Sequence, residues 1–400
     1  MMSSGSTTRR AFQVAASVLL LAACADEHRE IPRTLAARTG CESRAGGSRW
    51  SSGAASYRAT ASYGAQREAW LNEAAGVAVV DSLVFVYDAP QSRVVMLDDQ
   101  LRPVRSFGRK GQGPGELASV MDRGRRGMGW KWIDGSGDSL LVFDGTRLQF
   151  FSSDGRFLVQ GSRVALDRGW VSDETPRLRY GRGRLLSTQG GYDTPILRRP
   201  RDRYTWELVD IAGGDARPIV SLRLTPLPAG PNDVPFLGRE QALPLWDAAG
   251  ECVVATDGTG AWLVRATVTG GRADTLALDL PSVRLPPVDR EEVARLTGMA
   301  GKGGPARYIE ATALRRLAAL AIDPDGYAWL LPLQDSSHVP GGVEVVRISL
   351  STGAAERDTV PEFPAEFGAP GVFYARTNDR HNGESTITRY TLSAAPKPSQ

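Results

Sequence analysis

Histidine limits the chemistry open to this 400-residue chain: it holds three, His28, His338 and His381. His28 sits in a polar stretch near the amino terminus, which leaves two, so a three-histidine catalytic zinc site is excluded. His338 and His381 lie beside the carboxylates Asp335 and Asp379. Such pairs could hold a divalent metal or move a proton, or they could be solvated loop residues, because loop tips are rich in polar groups without a role. A third segment, 190–204, holds Tyr192, Asp193, Arg198, Arg199, Arg201, Arg203 and Tyr204. Arginine beside tyrosine suits a carboxylate or sugar ligand, whereas a run of charge is ordinarily a solvated surface.

The glycine-rich stretches are weaker signals. Gly108 to Gly115 superficially fits a phosphate-cradling pattern, but a dinucleotide fingerprint must join a strand to a helix so that the helix N-terminus meets the pyrophosphate. Strand-like sequence flanks this stretch on both sides, so the glycines are read as a tight connection that needs positive φ. Gly298 to Gly304 has no Ser or Thr after Lys302 and no preceding strand, and is rejected as a phosphate loop. No Gly-x-Ser-x-Gly, His-Glu-x-x-His or paired-cysteine zinc spacing occurs.

The amino terminus carries the sharpest motif. Met1 to Thr8 is polar, Arg9 and Arg10 follow, and Ala11 to Ala23 is mostly apolar before Cys24. That run falls short of the roughly 20 residues that span a bilayer, and a positive region before a short apolar one describes a secretory signal. Leu21-Ala22-Ala23-Cys24 resembles the lipobox of bacterial lipoproteins, and the resemblance implies acylation of Cys24 and removal of residues 1–23. Thr8 to Phe12 partly resembles the twin-arginine export signal, from which Gln13 and Val14 depart. Residues 24–47 mix charge, Gly, Ser and Arg without periodicity and read as a flexible tether. Ala25, where an aspartate would signal retention under the sorting rule of enteric bacteria, favours the outer membrane. Cys41 and Cys252 remain; an oxidising periplasm would permit their pairing, and a buried free thiol at Cys252 is the other reading. Formal charge is 48 − 45 = +3, and loss of Arg9 and Arg10 leaves +1, which gives no argument for a nucleic-acid partner.

From Trp70 onward the chain repeats a unit of short apolar strands joined by Asp- and Gly-containing turns. Val80 to Asp88, Ser92 to Asp99 and Val104 to Gly108 make the first copy; Gly137 to Asp144, Arg147 to Phe151 and Phe157 to Val159 make the second. Weaker copies start near Gly181, Gly250, Asp323 and Gly371, so six are expected, about 45 to 75 residues apart. Alternation with Asp-Gly turns is a hairpin signature. The expectation is an all-β, six-bladed β-propeller over 48–395, followed by a 396–400 tail. The last copy lacks its outermost strand, which Ala55 to Thr60 could supply and so close the ring. Pro287 to Arg316 breaks the pattern and predicts a helical insertion between blades four and five, with helices over Asp289 to Leu296 and Ala306 to Arg316.

The segment Phe107-Gly108-Arg109-Lys110-Gly111-Gln112-Gly113-Pro114-Gly115-Glu116-Leu117, with Asp323-Pro324-Asp325-Gly326 and Trp329, resembles the six-bladed propeller lipoproteins related to NHL-repeat proteins, over roughly residues 70–393. The resemblance implies a fold and hardly a chemistry. Loops between second and third strands share one face of a propeller near its channel. This makes Tyr192, Arg198, Arg203, Asp335, His338, Asp379 and His381 candidate contacts for a small polar or anionic ligand, with no catalytic residue assigned. The expected function is a non-catalytic binding or scaffold protein of the cell envelope, lipid-anchored to a membrane, partnered by an unknown protein or polar ligand, and without a resident cofactor. The alternative is a propeller enzyme, such as a metal-dependent lactonase, hydrolase or lyase, with a divalent metal at the channel mouth.

Overall fold

The structure is a computed structural model that describes residues 41, 57–64, 71–118, 131–145, 147–161, 179–181, 184–190, 204–210, 217–224, 233–235, 244–269, 273–278, 280, 307–309, 317–333, 342–378 and 384–392. The chain divides into two units, Met1–Ala37 and Arg38–Gln400, and every described residue belongs to the second. Among the described residues all regular structure is β.

The strands in chain order begin with β1 (Tyr57–Tyr63). The first blade follows as β2 (Ala74–Val80), β3 (Leu83–Asp88), β4 (Arg93–Leu97) and β5 (Pro103–Phe107), and the second as β6 (Trp132–Ser136), β7 (Ser139–Phe143), β8 (Leu148–Ser152) and β9 (Phe157–Gln160). The third is β10 (Arg179–Gly181), β11 (Arg184–Gly190), β12 (Tyr204–Asp210) and β13 (Arg217–Leu224). After β14 (Asp233–Pro235) comes the fourth, β15 (Leu245–Ala249), β16 (Cys252–Thr256), β17 (Trp262–Thr267) and β18 (Asp274–Ala277). After β19 (Arg307–Ile309) comes the fifth, β20 (Leu317–Ile322), β21 (Tyr327–Pro332), β22 (Val343–Ser349) and β23 (Ala355–Val360). The chain ends in β24 (Glu366–Phe367), β25 (Val372–Asn378) and β26 (Ser385–Leu392).

Each of these five blades is a four-stranded antiparallel meander. The sequence counts six such copies. Where the sixth would be, the sheet is composite, ordered β1-β26-β25-β24, with Tyr57 opposite Leu392 and Tyr63 opposite Ile387. Without β1, β26 would end this sheet in an open edge, and the antiparallel pairing with β1 covers it.

The sheets pack face to face in a propeller arrangement, and the cores lie between them. One core joins the composite sheet to the first blade (Tyr63, Val84, Val86, Tyr374, Ile387), another joins the first blade to the second (Phe85, Tyr87, Phe107, Ile133, Phe151). Others join the third to the fourth, the fourth to the fifth, and the fifth to the composite sheet through Tyr57, Trp329, Val360 and Phe373. A sheet covered on both faces reads as a continuous apolar run, as in the buried stretches Leu83–Asp88 and Cys252–Thr256, whereas outer strands such as Ala355–Val360 carry charge. The two-residue turns between first and second strands use positive φ, at Asp81 (56°) and Gly137 (61°), which lets each hairpin reverse without splaying.

The helical insertion is not supported. Within its second expected helix, Arg307–Ile309 is a strand paired in parallel with Asp233–Pro235. Pairing with a segment distant in sequence fixes these three residues as strand, whatever their local propensity. The first expected helix, Asp289 to Leu296, lies outside the described residues.

The Asp323 to Trp329 element has a clear physical role. Asp323 Oδ1 accepts the backbone N–H groups of Asp325 and Tyr327 at 2.9 and 3.0 Å, and Oδ2 accepts the Trp329 indole N–H at 2.8 Å. Burial pushes the carboxyl of Asp323 up to about 6, against the lowering effect of those donors. A folded-state value above the unfolded one stabilises below the unfolded value and loses that contribution as pH rises through the folded one. Asp323→Asn should therefore compare better with the parent at pH 7 than at pH 4 in denaturant titrations, and an equal deficit at both would contradict the assignment.

Candidate functional site

The innermost strands carry a buried cluster of charge. Asp134 on β6, Arg179 on β10 and Asp247 on β15 occupy one register position in three successive blades. In each, the first hairpin closes at the pair two residues later, Ser136 with Ser139, Gly181 with Arg184, and Ala249 with Cys252. Side chains alternate along a strand, so this shared register aims all three the same way. Arg179 Nη1 donates to Asp134 Oδ1 at 2.9 Å and to Glu366 Oε2, on β24 of the composite sheet, at 2.8 Å. Its Nε donates to Asp247 Oδ1 at 2.7 Å, while Asp247 Oδ2 accepts the backbone N–H of Ile322 on β20 at 2.9 Å.

One guanidinium thus ties inner strands of the second, third and fourth blades and the composite sheet, and Asp247 extends the tie to the fifth. The Arg179 side chain is only 14% exposed. Burial opposes its charge, but attraction from Asp247, Glu366 and Asp134, in that order, prevails and raises its pKa above the ordinary arginine value. Arginine suits this place because its planar fork presents several donors and it keeps its proton. Such a centre can hold strands in register and set the field along the axis. Each of its three carboxylates accepts a hydrogen bond from the one guanidinium.

A second polar centre explains the glycine segment. Arg147 at the start of β8 donates to Asp144 Oδ2 at 2.8 Å and to the carbonyls of Gln112 (2.6 Å), Glu116 (2.8 Å) and Gly111 (3.1 Å). Gln149 Nε2 donates to the Glu116 carbonyl at 2.7 Å and its Oε1 accepts the Gly115 N–H at 3.0 Å. The Gly113 N–H goes to Glu116 Oε2 and the Gly111 N–H to the Leu117 carbonyl. Gly108 and Gly115 have φ of 81° and 73°, and a Cβ at Gly111 would strike the Glu116 side chain. The amides of Gly111, Gly113 and Gly115 are thus engaged by Leu117, Glu116 and Gln149, and the connection clamps the first blade to the second. Arg147→Lys keeps the charge and loses the fork, so it should lower stability by about 2–4 kcal/mol in chemical denaturation. A variant that unfolds with the parent would show the clamp to be idle.

The seven candidate ligand contacts fall differently. Tyr192, Arg198, Arg203, Asp335, His338, Asp379 and His381 lie outside the described residues, as does Cys24. Among the described residues, no cluster of three or more His, Cys, Asp or Glu side chains is arranged to hold a metal. The sequence reading missed the Arg179 cluster because it sought chemistry in loops. The available signal was a charged residue at one position of successive inner strands, as in Trp132-Ile133-Asp134 and Leu245-Trp246-Asp247.

Cys41 forms a disulfide with Cys252 at the start of β16, with 4.8 Å between the Cα atoms, which settles the pairing left open by sequence. No family model and no curated protein matches the chain. Among solved structures it is similar to a Bacteroides fragilis protein named as exported, at 10% identity over 85% of this chain and 95% of that one, with TM-score 0.44. It is also similar to a member of the DUF4221 family from Bacteroides vulgatus, at 11% identity over 85% and 99% of the two chains, with TM-score 0.43. A third is the PQQ-bound aldose sugar dehydrogenase of Streptomyces coelicolor, at 16% identity over 84% and 96%, with TM-score 0.37.

Proposed function

We propose that this chain is a lipid-anchored propeller of the cell envelope that binds or scaffolds rather than catalyses, with the composite sheet serving as the sixth blade. The observation that carries the reading is the disulfide between Cys41 and Cys252. Disulfides persist in oxidising compartments and are rare in the cytosol, which agrees with export by the signal before Cys24.

The inner charges support binding over catalysis, because Asp134, Asp247 and Glu366 are committed to Arg179. The proposed ligand face is the one carrying Tyr192, Arg198, Arg203, Asp335, His338, Asp379 and His381, offered to a small polar or anionic ligand or a protein, and not to nucleic acid. Intact-mass analysis of membrane-extracted protein should find a mature terminus at Cys24 bearing acyl chains, and Cys24→Ala should leave unprocessed precursor. A mature terminus elsewhere without lipid would overturn the anchor. Cys41→Ser should abolish the mobility shift on reduction in gels and lower stability by about 2–5 kcal/mol, as expected for a large closed loop.

A further inference from the structure

We propose that the channel beside Arg179 takes a neutral sugar whose hydroxyls accept from Arg179 Nη2 and donate to Glu366 Oε1, with Trp132 as a flat wall. The proposal rests on the reading that ligands enter at the face of the second-to-third-strand loops, and it narrows their class. Arginine carries five N–H donors. Nε and Nη1 of Arg179 are spent on Asp247, Asp134 and Glu366. Nη2 has no acceptor among the described residues, and it is not sealed from solvent as the buried unpaired atoms are. Glu366 is its complement: Oε2 takes Arg179, while Oε1 accepts, among the described residues, only the N–H of Phe367 at 3.2 Å and keeps a lone pair. The Glu366 side chain is 17% exposed, the most open of the three carboxylates.

Trp132 stands on the way in. Strand β6 runs from Trp132, opposite Phe143, to the hairpin at Ser136, so Trp132 lies at the end where the turn from Asp144 to Arg147 joins second and third strands. It precedes Asp134 by two residues, which puts both on one face of the strand about 7 Å apart. The ring is half-buried, and its indole N–H has no acceptor among the described residues. Leu245 precedes Asp247 by the same step and is half-buried too. Apolar walls with a few placed polar groups are the ordinary make-up of a small-ligand site. Here the polar groups select the class. A free donor and a free acceptor on one ion pair match hydroxyls, which accept and donate, whereas a carboxylate ligand offers acceptors alone and sets its charge against Glu366, Asp134 and Asp247. An ammonium ligand would face the guanidinium. A neutral sugar brings several hydroxyls, and the C–H groups on the face of its ring lie flat against an indole.

The test uses the full chain in detergent, nitrogen-15-labelled at tryptophan, with the Trp132 indole signal assigned by its loss in Trp132→Phe. Glucose, galactose, mannose and maltose are titrated, and glucuronate and glucosamine are titrated beside them. At least one neutral sugar should bind saturably by calorimetry and shift the Trp132 signal. Glucuronate and glucosamine should bind about tenfold more weakly than that sugar, the effect of one unfavourable charge contact. Glu366→Gln removes a charge and keeps an oxygen for Arg179, so it should narrow the gap between neutral sugar and glucuronate about threefold. Trp132→Ala should weaken the neutral sugar about tenfold, and Trp132→Phe, which keeps a ring and loses the N–H, should weaken it less. Glucuronate or glucosamine binding as tightly as the neutral sugars would overturn the class while leaving the ligand face itself standing. Binding that leaves the Trp132 signal unmoved would overturn the site. Absence of saturable binding by all four neutral sugars would overturn the proposal altogether.

Discussion

Replacing Arg179 by methionine should destabilise the protein by about 3–5 kcal/mol at neutral pH, the range for removing one partner of a buried ion pair. The side chain nearly fits, so the loss reflects charge: Asp134, Asp247 and Glu366 would remain close together with their common cation gone. Carboxylates forced together in a low dielectric have folded-state pKa values raised above the unfolded ones. Their contribution is favourable at low pH and lost as pH rises, so the variant should regain stability relative to the parent between pH 7 and pH 5. Arg179→Lys keeps the charge, but one ammonium cannot reach three carboxylates on three sheets, and an intermediate loss is expected. Denaturant titrations at the two pH values decide the matter. A deficit below about 1 kcal/mol, or one independent of pH, would mean that the cluster does not hold the inner strands.

Deleting residues 48–63 should be comparably damaging, because it strips β1 from β26 along the register from Tyr57–Leu392 to Tyr63–Ile387. The lost strand also removes Tyr57, whose ring meets Phe373 at 5.2 Å and Trp329 at 6.4 Å in the core between the fifth blade and the composite sheet. An open β26 edge and an uncovered aromatic core are both routes to association. The truncated protein should be less stable by several kcal/mol or aggregate on concentration, in keeping with a large aromatic removed from a core and unpaired backbone left behind. Tyr57→Ala isolates the packing part and should cost about 3 kcal/mol without opening the edge. Adding the deleted segment back as a peptide should recover the parent's melting behaviour. A truncation that stays monomeric and melts with the parent would show that β1 closes nothing.

The sequence by itself determined the all-β class, the hairpin turns, and the strand missing from the last copy, because these follow from local alternation and turn residues. Val80 to Asp88 and Gly137 to Asp144 are short apolar runs bounded by turn residues, and no distant contact is needed to read them. The glycines of residues 108 to 115 were likewise legible as a connection, since flanking strands exclude a helix N-terminus there. Only the tertiary structure decided three other matters. The strand at Arg307–Ile309 owes its form to Asp233–Pro235, more than seventy residues earlier, and local propensity there points to helix. The partner of Cys41 lies 211 residues away, and spacing cannot choose between a disulfide and a buried thiol. Arg179 meets Asp134, Asp247 and Glu366 because blades distant in sequence turn their first strands toward one axis. Each residue alone reads as an ordinary charge on a short strand, and the attraction among them exists only once those strands are brought within hydrogen-bond range.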